Sequence, residues 1–445
     1  MQSANKGGYS NGENVAYRST MLATLRNRDF CLLWFAGLIS IMGDWVLYAA
    51  LPLYAYQQTD SALASGAVFA SMTLPGILIG SVAGVFVDRW DRRRTMIYAN
   101  LLQAIAVLPL LSVSIWGYLW PAYAVVFLIS AASKFFSPAE NALLPGLVGE
   151  QKLMPANSLN ALNDNLARIV GPALGGVLVA YSGLVGVVIV DGLTFLLSAA
   201  LLMLIRSRET VSRPASTQTT TAAVETSGTR RSEIVRSVWR EWAQGLRAIW
   251  GHRLLKSLFL VIGIALLADS ILGALLAPYV EGVLGGGASA FGFLLTARGI
   301  GGMIGGALVG YLSARVSPQR LLTISLFAFG LGVAVLANVQ GVPAALGVWL
   351  LAGIPAVGWW ASQQTLLQLS SSASNRGRIF GAYESSSALM LLAGSLAGGA
   401  LADYLGIVRL LESAAALYAI AGAVAVSLLW SSGKQPLLEV EKPGS

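Results

Sequence analysis

Cysteine and histidine are nearly missing from this chain of 445 residues, which has one of each, Cys31 and His252. One cysteine builds neither a disulfide framework nor a cysteine-ligated cluster. One histidine, in a basic stretch, makes a histidine metal site or Ser-His-Asp catalysis a poor reading, and no nucleophile–base constellation stands out. No enzyme activity, metal or cofactor is therefore expected. Charge is also scarce: Asp, Glu, Lys and Arg make up 11% of the chain, against about 25% in an ordinary soluble domain. The P-loop pattern G-x-x-x-x-G-K-[ST] does not occur, which disfavours ATP-driven work. Residues 1–20 are polar and lack the apolar core of a cleavable signal peptide.

What is abundant is apolar sequence, 56% of the chain. A packed soluble core cannot absorb that much apolar surface, so lipid must be its solvent. Apolar runs of about 20 residues, each long enough to cross the hydrocarbon layer, predict helices over 30–56, 63–87, 95–115, 120–137, 165–181, 184–205, 256–280, 289–313, 320–337, 343–369, 378–402 and 407–430. Residues 206–255 interrupt the series with Ser/Thr-rich low complexity followed by a basic stretch. Within it, 234–250 carries Trp239, Trp242 and Trp250 in a pattern suited to an amphipathic helix on the membrane face. The division is thus a tail (1–29), six helices (30–205), a central loop (206–255), six helices (256–430) and a second tail (431–445). The fold class is an all-α membrane protein of twelve helices in two halves.

The formal net charge is +8. On a soluble protein this would suggest nucleic acid; here the basic residues flank apolar runs and set orientation instead. With both tails and the central loop in the cytoplasm, Arg298 and Arg409 are the only two of 29 Lys and Arg residues that fall elsewhere. The opposite loops QQTDSA, WGYLW and NVQGVP carry none. Trp116 and Trp120 suit the outer interface.

The halves look related. Leu51-Pro52 recurs as Ala277-Pro278, and Gly84 to Arg89 aligns with Gly310 to Arg315, each pair 226 residues apart. Gly175-Gly176 with Ala180-Tyr181 echoes Gly398-Gly399 with Asp403-Tyr404. Repeated six-helix halves are a transporter architecture, with the substrate site between them near the midplane.

The segment Gly84-Val-Phe-Val-Asp88-Arg89-Trp90-Asp91-Arg92-Arg93-Arg94 resembles the loop between helices 2 and 3 of the major facilitator superfamily, G-x-x-x-D-R/K-x-G-R/K-R/K, with Asp91 in place of glycine. This variant is similar to the branch of drug and siderophore exporters that includes macrolide efflux proteins and enterobactin exporters, and the likeness extends over most of the chain apart from the tails and central loop. It implies the major facilitator fold, and a cytoplasmic gate built from Gly84, Asp88, Arg89, Arg92 and Arg93. Gly84 lets another helix approach. Asp88 would lie beside the N-terminus of helix 11, where the helix dipole favours an anion. Arg168-Ile-Val-Gly171-Pro172-Ala-Leu-Gly175-Gly176 in helix 5 resembles the G-P-x-x-G-G core of a superfamily antiporter motif, with Ala167 where the fuller motif has glycine. Glycines permit close packing and Pro172 kinks the helix. Phe136 to Pro145 after helix 4 and Arg376-Gly377-Arg378 before helix 11 match the same branch at cytoplasmic loops.

Ionisable groups inside apolar spans cost roughly 2.5–3.5 kcal/mol to insert, so each is a candidate. Asp44 is first choice for proton coupling, with Asp269 and Glu384 behind it; burial in low dielectric disfavours a carboxyl's charged form, and the competing reading for Asp44 is a permanent salt bridge with Arg298. Trp45, Tyr48, Asp191, Arg298, Trp359 and Trp360 are candidates for the substrate cavity. For any one aromatic, core packing is the plainer alternative. The expected function is a proton-coupled exporter of a hydrophobic or amphipathic small molecule, a drug or a siderophore, working as a monomer in a bacterial inner membrane. Its expected partners are the substrate, protons and membrane lipid, not nucleic acid. Uptake by symport and a non-transporting sensor or scaffold are the alternatives. For orientation, cysteines introduced near residues 225 and 340 should label oppositely with a membrane-impermeant thiol reagent; labelling of 225 from outside intact cells would reverse the assignment.

Overall fold

The computed structural model describes residues 24–87, 90–206, 249, 253–371 and 376–432. Regular structure among them is helical throughout. The elements are α1 (Arg28–Thr59), α2 (Ala62–Val87), α3 (Arg92–Ala106), α4 (Leu110–Trp116), α5 (Trp120–Val148), α6 (Leu153–Met203), α7 (Arg253–Pro278), α8 (Gly287–Leu312), α9 (Pro318–Asn338), α10 (Val342–Leu369), α11 (Arg376–Leu405) and α12 (Ile407–Ser432). Eleven stretches among the described residues are long and apolar enough to cross a membrane, α3 and α4 together making one of them.

The eleven become twelve passes because α6 is two helices. Its 51 residues would run about 76 Å if straight, against a hydrocarbon layer of about 30 Å. At Gly183 the backbone turns to φ 60°, ψ −159°, a conformation open to glycine alone. The chain folds back there. Gly171 packs on Trp45 of α1, while Asp191 reaches Gly43, two residues away on the same helix. A straight helix would hold residues 171 and 191 about 30 Å apart. The expected gap between spans 5 and 6 is therefore a one-glycine hinge.

Other boundaries move for local reasons. The third span breaks after Ala106, where Pro109 offers no N–H and short-range turns take over through Leu110. The fourth, expected to end at 137, runs on to Val148 through Pro138 and Pro145; the segment Phe136 to Pro145, expected as a loop, is helical. The fifth begins at Leu153 rather than 165. Asp91, which departs from the family pattern, is the N-cap of α3: its side chain accepts from the Arg94 N–H at 2.7 Å. The amphipathic stretch 234–250 lies outside the described residues except for Ile249.

Packing sorts the helices into two groups. Two buried apolar clusters draw only on residues between Phe30 and Ile205. The third draws on Ile249 to Leu429, joined by Ala49, Leu53 and Ala62. Between the groups, close backbone approaches lie toward the end remote from the termini, and they come in symmetric pairs. A Cβ on Gly66 of α2 would strike the Ser395 carbonyl of α11; a Cβ on Gly292 of α8 would strike the Pro172 carbonyl of α6. Gly176 abuts Ala288 and Gly292, and Gly399 abuts Ala62 and Leu63. Glycines 66 and 292 stand 226 residues apart, the spacing of the sequence repeat. Asp403 adds a polar clasp, accepting from the Ser61 hydroxyl at 2.7 Å and the Ala62 N–H at 2.8 Å at the start of α2.

Overpacking such a contact costs about 1–3 kcal/mol. Gly399→Val should therefore open this end, lengthening the distance between spin labels at Gln58 and Tyr404 and lowering transport. Gly306→Val meets open space and should change neither; an unchanged label distance in Gly399→Val would show the contact to be incidental.

Candidate transport pathway

Lipid-soluble helices leave few places for charge, so the charged groups that remain mark the pathway. In the second half Asp269 of α7 and Arg298 of α8 form an ion pair at 3.5 Å, with side chains 29% and 31% exposed. Tyr418 of α12 donates to Asp269 at 2.9 Å. The Arg298 guanidinium lies 5.2 Å from the Phe329 ring centroid and 5.4 Å from that of Trp349, a cation–π setting that replaces part of its lost hydration. Arg298 is thus committed to Asp269, and the expected alternative of a pair with Asp44 is not what forms.

Across the gap, Arg168 lies 5.4 Å over the Trp45 ring, and Trp45 meets Tyr48 edge-on at 4.9 Å. Tyr48 feels the charges of Arg298, Asp269 and Arg168. Trp45, Tyr48, Arg168, Asp269 and Arg298 therefore gather at one level between the halves. The helix-5 motif divides its work: Gly171 and Gly175 bring α6 against α1, Gly176 and the Pro172 carbonyl face α8, and the Thr296 hydroxyl donates to the Ile169 carbonyl at 2.7 Å. The motif is a packing seam against both α1 and α8.

Asp44 and Asp191 come together within the first half. Asp191 is wholly buried and feels the Asp44 charge. Its carboxyl fits because Gly43 has no Cβ to occupy that space. The Thr194 hydroxyl proton is spent on the Asp191 main-chain carbonyl at 2.7 Å, and neither Asp191 carboxyl oxygen has a hydrogen-bond partner. Asp191 therefore backs the site rather than lining the cavity. Beside it runs a buried chain in which Ser40 donates to Asn100 at 3.1 Å, Asn100 to Ser198 at 2.8 Å and Ser198 to the Ala36 carbonyl at 2.9 Å.

Other candidates separate. Trp359 is 3% exposed in the core of the second half, whereas Trp360 is 56% exposed. Glu384 is exposed on α11, beside Tyr383. Of the gate residues, Asp88 and Arg89 lie outside the described residues, and Gly84 is placed in α2 without its surroundings. Arg92 donates to the Ala142 carbonyl at 3.2 Å. Arg93 donates to the Leu202 and Met203 carbonyls at 2.8 and 2.5 Å, the cation-favouring end of α6. Both arginines tie α3 to its own half here. Arg376 and Arg378 fall in α11, with side chains outside the described set. Among the described residues no three His, Cys, Asp or Glu side chains form a metal site. Tyr418 and Glu140 are not among the expected site residues: the first is an uncharged residue in mid-span, and the second lies in a segment taken for a loop; Asp403, noted only as part of the repeat, sits just past the expected end of its span.

Two related helical halves, apolar outside and charged between, define a multi-pass membrane transporter of the major facilitator type. Its family follows from comparison: residues 19–435 match the model described as transmembrane secretion effector, and the chain belongs to that family. Among similar proteins are the MFS-type transporter YfiS of Bacillus subtilis, 28% identical over 83% of this chain and 85% of that one, and the multidrug efflux pump Tap of Mycobacterium tuberculosis, 26% identical over 93% and 96%. Macrolide efflux protein A of Streptococcus pyogenes is 24% identical over 69% and 72%. Among solved structures, a bacterial homologue of the iron transporter ferroportin in an inward-facing state superposes with a TM-score of 0.68 at 20% identity, covering 91% of this chain and 99% of that one.

The Asp269–Arg298 pair should be coupled in a double-mutant cycle. Asp269→Asn and Arg298→Gln should each lower the melting temperature of purified protein, and the double variant should lose less than the sum, by about 1 kcal/mol or more. Additive losses would show the pair to be energetically idle.

Proposed function

We propose that this transporter exports a hydrophobic or amphipathic small molecule by alternating access, driven by proton entry, with both termini cytoplasmic. The observation that carries the reading is where the halves meet. Glycine seams and the Asp403 clasp join them at the end remote from the termini. Toward the terminal end Ser137, Asn141, Asp164 and Glu384 are exposed. With the orientation given by the Lys/Arg distribution, this is an inward-facing state that takes substrate from the cytoplasm or inner leaflet. The half-buried aromatics Trp45 and Tyr48 favour an amphipathic substrate, and the efflux activities in the names of Tap and macrolide efflux protein A point the same way.

Asp44 is the proton site in this reading. It lines a polar pocket of the first half with Glu140 and Asp164, no cation is paired with it among the described residues, and Asp191 stands beside it as a like charge. Protonation removes the cost of carrying that charge through an occluded state and so biases the rocking of the halves. Asp88 and the arginines after it act on switching rather than on affinity. A panel of compounds, assayed for accumulation in cells with and without this protein, identifies a substrate. In inverted vesicles with an imposed pH gradient, wild type should then concentrate that substrate inside, while Asp44→Asn should bind and exchange it without gradient-driven accumulation. Full accumulation by Asp44→Asn removes Asp44 from the coupling site; substrate movement with the proton gradient instead of against it favours uptake by symport.

A further inference from the structure

A groove of about 430 Å³ runs between α1 and the return arm of α6. Leu32, Phe35 and Ile39 of α1 and Leu197 and Leu201 of α6 make it apolar. Spacings of three and four residues put each set on one face of its helix. On α1 that face lies about 140° around the axis from Trp45 and Tyr48, so it is turned away from the pathway. Phe35 and Leu197 are 45% and 51% exposed, and on the outward face of a membrane span that exposure is to lipid.

One end of the groove is charged. Arg28, the one charged residue in its lining, stands where the span begins, with its side chain 54% exposed. From Arg28 to Ile39 the groove follows α1 for about 16 Å, close to half of a hydrocarbon layer of about 30 Å. Asp29 lies 3.7 Å from the Arg28 guanidinium and also accepts from the Arg206 backbone N–H at 3.4 Å. Arg26 and Arg206 are exposed. Within residues 26–29 and 206, three arginines thus stand against one aspartate at this edge of the membrane.

Each property constrains the occupant. An apolar channel one leaflet deep takes an acyl chain. A cation at its rim takes the phosphate at the head of that chain, to which arginine offers paired N–H donors. The surplus of positive charge disfavours a choline headgroup, whose own cation would meet the arginines, and favours a lipid of net negative charge. A soluble phosphate ester would leave the apolar floor uncovered. We propose that this groove holds an anionic phospholipid, with one acyl chain along Leu32 and Leu197 and its phosphate on Arg28. Bound there, the lipid joins the start of α1 to the end of α6. The site is separate from the pathway and does not depend on what the protein carries.

Cys31, the one cysteine of the chain, lines the groove and is half-buried, so the native protein carries its own reporter. The test places the full chain in nanodiscs of phosphatidylcholine alone, or of phosphatidylcholine mixed equally with phosphatidylglycerol of the same acyl chains. Alkylation of Cys31 by N-ethylmaleimide, an uncharged reagent, is timed in each. Phosphatidylglycerol should slow it about fivefold, the scale of one basic side chain at an anionic lipid surface. Arg28→Gln, a change at an exposed position, should erase the difference. Surface charge by itself also slows thiol chemistry, but equally in wild type and in Arg28→Gln, so the variant separates a site from a general field. Equal rates in the two lipids, or a difference that survives Arg28→Gln, overturns the proposal. So does equal protection by water-soluble glycerophosphoglycerol in phosphatidylcholine discs, which would make the site one for a free anion.

Discussion

In lipid, apolar helices gain nothing by hiding apolar surface from one another. Association has to come from close packing and polar contact, and the rest of this structure depends on that constraint. Glycine satisfies it by letting backbones touch. Gly171 and Gly175 join α6 to α1, Gly301 and Gly305 join α8 to α10, and Gly330 joins α9 to α12. The same device joins the halves at Gly66, Gly176, Gly292 and Gly399. Those last contacts are confined to one end, so the halves are held tightly yet by a narrow seam. The seam combines backbone van der Waals contacts with one carboxylate clasp, that of Asp403 on the start of α2.

How far sequence reveals such a molecule depends on which physical signal is strong. Hydropathy places the spans well because each must cross about 30 Å of hydrocarbon whatever its neighbours do. It fails where helices outlast the membrane: α5 runs through two prolines to Val148 and α6 begins at Leu153, beyond the apolar core of either. It holds at Gly183, where the chain reverses inside the expected gap between 181 and 184 although no polar loop marks the turn. The candidate site was half legible. Asp44, Asp269 and Arg298 announce themselves as charges in apolar runs, and the structure brings the last two together. Trp359 and Trp360 look alike in sequence, but adjacent positions on a helix point about 100° apart, and only one enters the core. Asp191 reads as a cavity residue until Gly43 is seen to make room for it behind α1.

The repeat also explains what differs between the halves. Pseudo-symmetry pairs Gly66 with Gly292 and Gly176 with Gly399, yet Asp403 clasps α2 while its counterpart at position 180 is alanine. The seam is symmetric in backbone and asymmetric in charge. The interiors diverge in the same sense. The second half satisfies its arginine locally, with Asp269, Tyr418 and two aromatic faces. Among the described residues, the first half leaves Asp44, Asp191 and Glu140 without a paired cation and fills its interior with Asn100, Gln103, Asn160 and Asn163.

That asymmetry assigns the halves different work. A paired charge that is hydrogen-bonded and stacked has little reason to change its state as the molecule moves, so the second half offers a fixed electrostatic wall. Unpaired carboxyls in a polar pocket are the opposite case. Their free energy depends on whether a proton or another cation is present, because low dielectric makes an uncompensated charge costly. A conformational equilibrium can be driven only by a ligand whose free energy differs between the two states. The proton proposed for Asp44 meets that condition if rocking alters the water available to that carboxyl. The pocket's lining includes the exposed Ser137, Asn141 and Asp164, so covering them would change its hydration directly, whereas Asp269 and Arg298 have each other as counterions. Under the proposed proton coupling, the first half is where the driving ion acts, and the second supplies the surface against which it moves.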